Sequence, residues 1–270
     1  MGLIIKNNTL IKNLSIGPAA GSGGGSSIPI STNGLFMFYD IGNTSSYPGS
    51  GTTMYNLVNA DSRFEATMNN TPTYNSAGTA SSLSFSSGIS HTVEVTPADL
   101  LDGVTNVSTI SYWIKPVPKS NSTSGTYIEL FTRYAGQWNQ GHPVDMFWKI
   151  TGDGDAYIDK IGTNNASRWQ GLGFISNYQN SWVNIAITLG NTNGLRLYLN
   201  GVDQGNPIMY NYSVGTGRTL DAITSFKLFV QQSSFNGQGT EFGNMAYYTR
   251  ELTASEMSSN FDALKTRYGY

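Results

Sequence analysis

The feature that most constrains this chain is strict two-residue alternation closed by hairpin turns. In SWVNIAITL, Trp182, Asn184, Ala186 and Thr188 fall on one side of an extended strand, and Val183, Ile185, Ile187 and Leu189 fall on the other. Leu195, Leu197 and Leu199 share a face in the segment that follows. Asn191–Gly194 separates the two runs and Asn200–Gly201 closes the second, both with the Asn-Gly pair that tight hairpins favour. Strands with one apolar face need a second sheet to cover them, which predicts a sandwich. Further strands are expected at Leu35–Asp40, Ser90–Val95, Ser108–Lys115, Thr126–Tyr134, Val144–Thr151, Ile223–Val230 and Glu241–Thr249. No strand–helix–strand alternation occurs, so a parallel α/β sheet is not expected.

Helical signals are confined to two places. Thr253-Ala254-Ser255-Glu256 is a capping box, in which the Thr hydroxyl accepts from the Glu256 backbone N–H and the Glu side chain reaches back. Met257, Phe261, Leu264 and Tyr268 then recur at helical spacing and form one apolar stripe, suited to a terminal clasp docked on the sandwich. Pro97, with Asp99 after it, predicts a single helical turn. At the other end, residues 17–27 read GPAAGSGGGSS, a flexible linker by composition. Ahead of it IIKNNT and LIKNLS form a weak duplication, read as an extended arm or small hairpin that orders by pairing with a neighbouring protein. Its anchoring residues would be Ile4, Ile5, Leu10, Ile11, Leu14 and Ile16. The expected division is an arm and linker over 1–30 and one globular domain over 31–270.

Composition removes several classes of function. Charged residues make up 12% and aromatics also 12%, the balance of turn-rich all-β chains rather than of disordered ones. A net charge of −2 without a Lys/Arg cluster predicts no nucleic-acid partner. There is no cysteine, hence no disulfide and no thiolate metal site. No window approaches the roughly 20 apolar residues of a membrane helix, so no membrane partner is expected. The opening residues carry no secretion-signal pattern, and the Asn-x-Ser/Thr triplets at Asn13, Asn106 and Asn211 are accordingly discounted.

Three segments together resemble the laminin-G-like, concanavalin A-like jelly rolls found in phage and large-virus structural proteins. They are GLFMFYDIGNTSSYPGSGTTMYNLVN at Gly34–Asn59; SYWIKP at Ser111–Pro116 with SWVNIAITLGNTNGLRLYLNG at Ser181–Gly201; and YYTRELTASEMSSNFDALKTRYG at Tyr247–Gly269. The last has Tyr248, Arg250, Leu252, Glu256, Asn260, Phe261, Arg267, Tyr268 and Gly269 on the family pattern. Met54 stands where a Trp is typical, and Gly243 where many secreted relatives keep an Asp, which weakens any inference of calcium at that end. The resemblance implies an antiparallel two-sheet concanavalin A-like jelly roll with a short C-terminal helix. It also implies a non-enzymatic virion structural protein, either a capsid decoration or minor capsid component or one associated with a tail fibre. Such a protein would be multi-copy and joined to other virion proteins through the arm.

Glycoside hydrolases of this fold carry Glu-x-Asp-x-x-Glu on one strand, and retaining chemistry needs two carboxyls about 5 Å apart. That motif is absent: Gly243 interrupts the acidic strand at Glu241, and Glu129 is isolated, so no catalytic residue is assigned. His91 and His142 read as ordinary histidines, with no nucleophile-elbow sequence beside the serines. Asp153, Asp155 and Asp159 in TGDGDAYID have the look of a Ca2+ loop, but Asp-Gly between strands is first a hairpin turn; no other cofactor is expected. Aromatics in loop-like segments suggest a different chemistry. Trp138, Trp169, Tyr210, Tyr212 and Phe235 sit among Asn, Gln and Ser, as ring-stacking receptors for sugars do, or pack against neighbouring loops or a partner. The alternative function is therefore an adhesin that recognises host-surface glycan. Trp113, Trp148 and Trp182, inside strands, are expected in the core.

Overall fold

A computed structural model describes residues 28–76, 80–85, 91–95, 107–116, 128–134, 146–150, 156–160, 165–169, 172, 177–190, 195–206, 208–209, 225–231 and 240–270. Within them the strands are β1 (Leu35–Asp40), β2 (Thr53–Met54), β3 (Ala66–Asn69), β4 (Thr73–Asn75), β5 (Ser82–Phe85), β6 (His91–Val95), β7 (Ser108–Lys115), β8 (Ile128–Tyr134) and β9 (Met146–Ile150). They continue as β10 (Ala156–Lys160), β11 (Asn165–Trp169), β12 (Val183–Leu189), β13 (Leu195–Leu199), β14 (Val202–Asp203), β15 (Ile208–Met209), β16 (Ser225–Gln231) and β17 (Thr240–Tyr248). One sheet runs β14-β13-β12-β7-β17-β5-β4, with β1 also on β17; the other runs β15-β11-β10-β9-β8-β16-β6-β3-β2. Every pairing is antiparallel. The predicted two-sheet sandwich is the observed fold.

Alternation decides what fills the space between the sheets. Val183, Ile185, Ile187 and Leu189 of β12 join Ile110, Tyr112 and Ile114 of β7 and Phe242, Met245 and Tyr247 of β17 in one buried cluster. Met54, Ala66, Met68, Val93 and Val95 meet them from the facing sheet. Burying such a side chain fully contributes about 1.5–3 kcal/mol, which makes this layer the main source of stability. Met54 is wholly buried there, so the position where relatives place Trp is a core position. Asn200 and Gly201 both take positive φ, 51° and 75°, the backbone of a tight primed turn, and β13 and β14 pair directly across it. A side chain at Gly201 would also press on the backbone of Ser258, because the turn abuts the terminal helix.

The opposite face of the β12-β7-β17 surface is covered as well. Trp113, Ala186, Tyr198, Ala246 and Tyr248 pack there with Met257, Leu264 and Tyr268 of the C-terminal segment. The helix spans Ala254–Leu264 and begins with the predicted capping box intact in both directions. Asn260 and Tyr248 then tie it to the other end of the domain. The Ser31 backbone N–H donates to Asn260 Oδ1 (2.9 Å), Asn260 Nδ2 donates to the Tyr248 hydroxyl (2.9 Å), and that hydroxyl donates to the Ser31 carbonyl (3.0 Å). Arg250 adds a bidentate pair with Glu256 at 2.5 and 3.0 Å and donates to the Asn33 carbonyl at 2.8 Å. The expected terminal clasp is thus present and holds Ile28–Leu35 against the sheet. No helix among the described residues is long and apolar enough to cross a membrane. The arm residues Ile4, Ile5, Leu10, Ile11, Leu14 and Ile16 and the helical turn expected at Pro97 lie outside the described residues.

Candidate functional site

On the outer face of the first sheet, beside the clasp, a cleft of about 630 Å³ opens to solvent. Tyr74, Asn75, Ser76 and Ala80 line one side, Lys115 and Glu241 the sheet, and Trp182 with Arg267, Tyr268 and Gly269 the rest. Lys115 and Glu241 stand opposite each other in register on β7 and β17. Their neighbours Ile114 and Phe242 point into the core, so alternation sends this charged pair outward. Lys115 Nζ lies 2.9 Å from Glu241 Oε1, and Ser82 Oγ of β5 donates to Glu241 Oε2 at 2.5 Å.

Aromatic rings form the cleft's apolar surface, and each is held by another ring. Tyr74 borders the cleft but turns its ring to the inner side, opposite Leu83 and edge-on to buried Tyr47 with centroids 5.3 Å apart. Trp182 lies 4.8 Å from Tyr268, and Tyr268 in turn stacks flat on Trp113 at 4.2 Å. Such pairs contribute about 0.5–1.5 kcal/mol beyond burial and fix ring orientation before any ligand arrives. The Tyr270 hydroxyl donates to the Trp182 carbonyl at 2.5 Å, pinning the backbone of that wall.

Gly243 permits the arrangement. A Cβ built at this position would lie 2.5 Å from the Tyr268 hydroxyl, so only glycine lets the tyrosine lie across β17. A bulge between Phe242 and Asn244 accompanies it, and Asn244 Nδ2 donates to the same hydroxyl at 3.0 Å. The position where relatives keep an Asp is here occupied by a packed tyrosine ring. Burial pushes the Tyr268 hydroxyl well above a phenol's usual pKa, so it stays protonated. Arg267 beside it is fixed by Asp40, whose two oxygens accept from Nη1 at 2.7 and 2.6 Å. Burial acts to lower the Arg267 pKa, but the charge and hydrogen bonds of Asp40 outweigh it and the net shift is upward.

A model of the concanavalin A-like lectin/glucanases superfamily matches residues 86–258. The chain belongs to that superfamily. No curated protein matches it in sequence. Among solved structures, this concanavalin A-like domain is similar to the botulinum neurotoxin serotype D binding domain, with a TM-score of 0.59 and 11% identity over 85% of this chain and 51% of that one. The serotype D ligand-binding domain in complex with N-acetylneuraminic acid gives 0.58 at 11% identity, over 85% and 51%. Trypanosoma rangeli sialidase gives 0.54 at 12% identity, over 89% of this chain and 34% of the sialidase. The domain therefore spans about half of the toxin domains and about a third of the sialidase. These likenesses show a shared lectin-like jelly-roll fold.

Against the expectations from sequence, Trp182 is the clear correction. It does share a face with Asn184 and Ala186, but that is the outer face, and it precedes β12 where the clasp leaves it half-buried at the cleft. Trp113 is buried as expected, under the clasp rather than between the sheets. His91 is a buried strand histidine set edge-on to Phe85 at 5.5 Å. Trp138, Tyr210, Tyr212, Phe235, His142, Asp153 and Asp155 lie outside the described residues. Trp169, Asp159, Trp148 and Glu129 are described only as backbone, in β11, β10, β9 and β8. Ile150 of β9 pairs with Ala156 of β10. No group of three or more metal-binding side chains occurs among the described residues.

Proposed function

We propose that this domain is a non-catalytic carbohydrate-binding module that takes glycan in the outer-face cleft. The observation that carries this reading is the juxtaposition of the Trp182 ring with Asn75, Ser76, Lys115 and Glu241 in one open depression. A sugar ring has an apolar C–H face and hydroxyls at its rim, so aromatic walls with amide, hydroxyl and carboxylate groups beside them match it on both counts. Glu241 is engaged by an ammonium group and a hydroxyl, and no second carboxyl stands beside it among the described lining residues, whereas acid–nucleophile hydrolysis requires a pair. Membership of a lectin/glucanase superfamily and the lectin-like fold of the neighbours support carbohydrate binding.

Glycan binding has the better support of the two roles expected from the sequence, since a place on a virus particle rests on the sequence resemblance alone. An array of immobilised glycans tests the proposal. The wild-type chain binds a subset, and Trp182→Ala, folded by thermal melt, loses that binding; equal binding by the variant contradicts it.

A further inference from the structure

We infer that the cleft selects uncharged sugars, because each cation among its described lining residues is already closed onto a carboxylate; this rests on the reading of the cleft as a glycan site. Lys115 and Arg267 are the cations among its described lining residues. Lys115 is held 2.9 Å from Glu241 Oε1, and the strand register that places the two residues opposite each other fixes the pair. Arg267 reaches both oxygens of Asp40, whose side chain is 2% exposed. With Glu241 and Asp40 the formal charges cancel.

An anionic sugar such as a sialylated or sulfated one must either bind beside this neutral set or draw a cation away from its partner. Drawing Lys115 away leaves the Glu241 carboxylate, with a side chain 19% exposed, facing the incoming anion. Drawing Arg267 away strips a nearly buried Asp40 of its charge partner. Both routes put like charges together, which disfavours the wrong ligand as firmly as good contacts favour the right one. A hydroxyl needs neither route. It donates to a spare lone pair of the Glu241 carboxylate and accepts from a remaining N–H of the Lys115 ammonium, leaving the pair intact. Asn75 and Ser76 add neutral donors and acceptors, and Trp182 supplies the face on which an uncharged ring rests. N-acetylneuraminic acid, present in one toxin-domain complex, is accordingly not the sugar this cleft is built for.

The test is an array holding neutral oligosaccharides and their sialylated and sulfated counterparts, read with the wild-type chain, Trp182→Ala and Glu241→Gln. Expected are binding of neutral glycans at least about tenfold tighter than of their acidic counterparts, and a narrowing of that ratio in Glu241→Gln, where Lys115 loses its carboxylate partner. The ratio in the wild-type chain decides the inference even where Glu241→Gln fails to fold. Acidic glycans bound as tightly as neutral ones, with that binding lost in Trp182→Ala, overturn the neutral preference and leave the cleft as the site. Binding that Trp182→Ala does not change overturns the cleft reading itself. No binding to any glycan overturns both.

Discussion

The two faces of the β12-β7-β17 surface are both buried, yet they are built on different principles. The inner face is an apolar layer, with Ile110, Ile114, Ile185, Ile187, Tyr112 and Phe242 pressed against the facing sheet. The outer face combines stacked rings with buried polar links: Trp113 on Tyr268, Asn184 Nδ2 donating to the Tyr112 carbonyl, and Asn244 Nδ2 donating to the Tyr268 hydroxyl. An apolar face specifies fold and little else. A face made of rings and hydrogen bonds positions groups at defined angles, and at the clasp's edge it continues into an open cleft. The domain thus uses one surface for stability and its reverse for recognition.

That division is broken most directly from the inside. Phe242→Ala removes a fully buried ring from the inner face and is expected to cost about 3–5 kcal/mol of unfolding free energy in denaturant titrations. Affinity per folded molecule should be unchanged; a loss of affinity in the folded fraction would mean that the faces are not separable. Next in size is Gly243→Asp, which restores the residue of many relatives. Its Cβ meets the Tyr268 hydroxyl, so overpacking should cost about 1–3 kcal/mol and loosen the clasp, read as faster amide exchange at Leu264–Gly269. Unchanged exchange there would show that Tyr268 has another position open to it.

A smaller effect lies in the cap. Thr253→Ala is expected to cost about 1 kcal/mol, because the first turn of the helix loses its capping oxygen. The Glu256 carboxyl is lowered from 4.5 to about 2, first by its hydrogen bond from Arg250. A folded pKa below the unfolded one means that the contribution is complete above pH 4.5 and is lost as pH falls toward 2. Thermal melts over that window should show a decline that Glu256→Gln flattens; an unaltered slope would assign the decline to other carboxylates.

How much of this was readable beforehand depends on the length and polarity of each segment. Leu35–Asp40 and Ser108–Lys115 match the expected strands residue for residue, because long apolar runs bounded by turn residues leave one interpretation. Ala66–Asn69, Thr73–Asn75 and Ser82–Phe85 were not anticipated: three or four residues cannot display a period, and their pairing comes from neighbours distant in sequence. The cleft was illegible for the same reason. Lys115 and Glu241 are 126 residues apart, and only the sheet register puts them opposite each other. Trp182 obeyed the alternation used to assign it to the core; no pattern in one strand tells which face a clasp will leave half open. Asn75 and Ser76, in a Thr-Pro-Thr-Tyr-Asn-Ser segment, carried no signal.

The claim on which the account stands is that recognition uses the outer-face cleft. It is tested most directly by calorimetric titration of the glycan that binds best on the array into the wild-type chain, Trp182→Ala and Trp169→Ala. The account predicts that Trp182→Ala weakens binding by about tenfold or more while melting near the wild-type temperature, and that Trp169→Ala binds as the wild type does. Binding kept in Trp182→Ala and lost in Trp169→Ala would contradict it and move the site to the segment around β11.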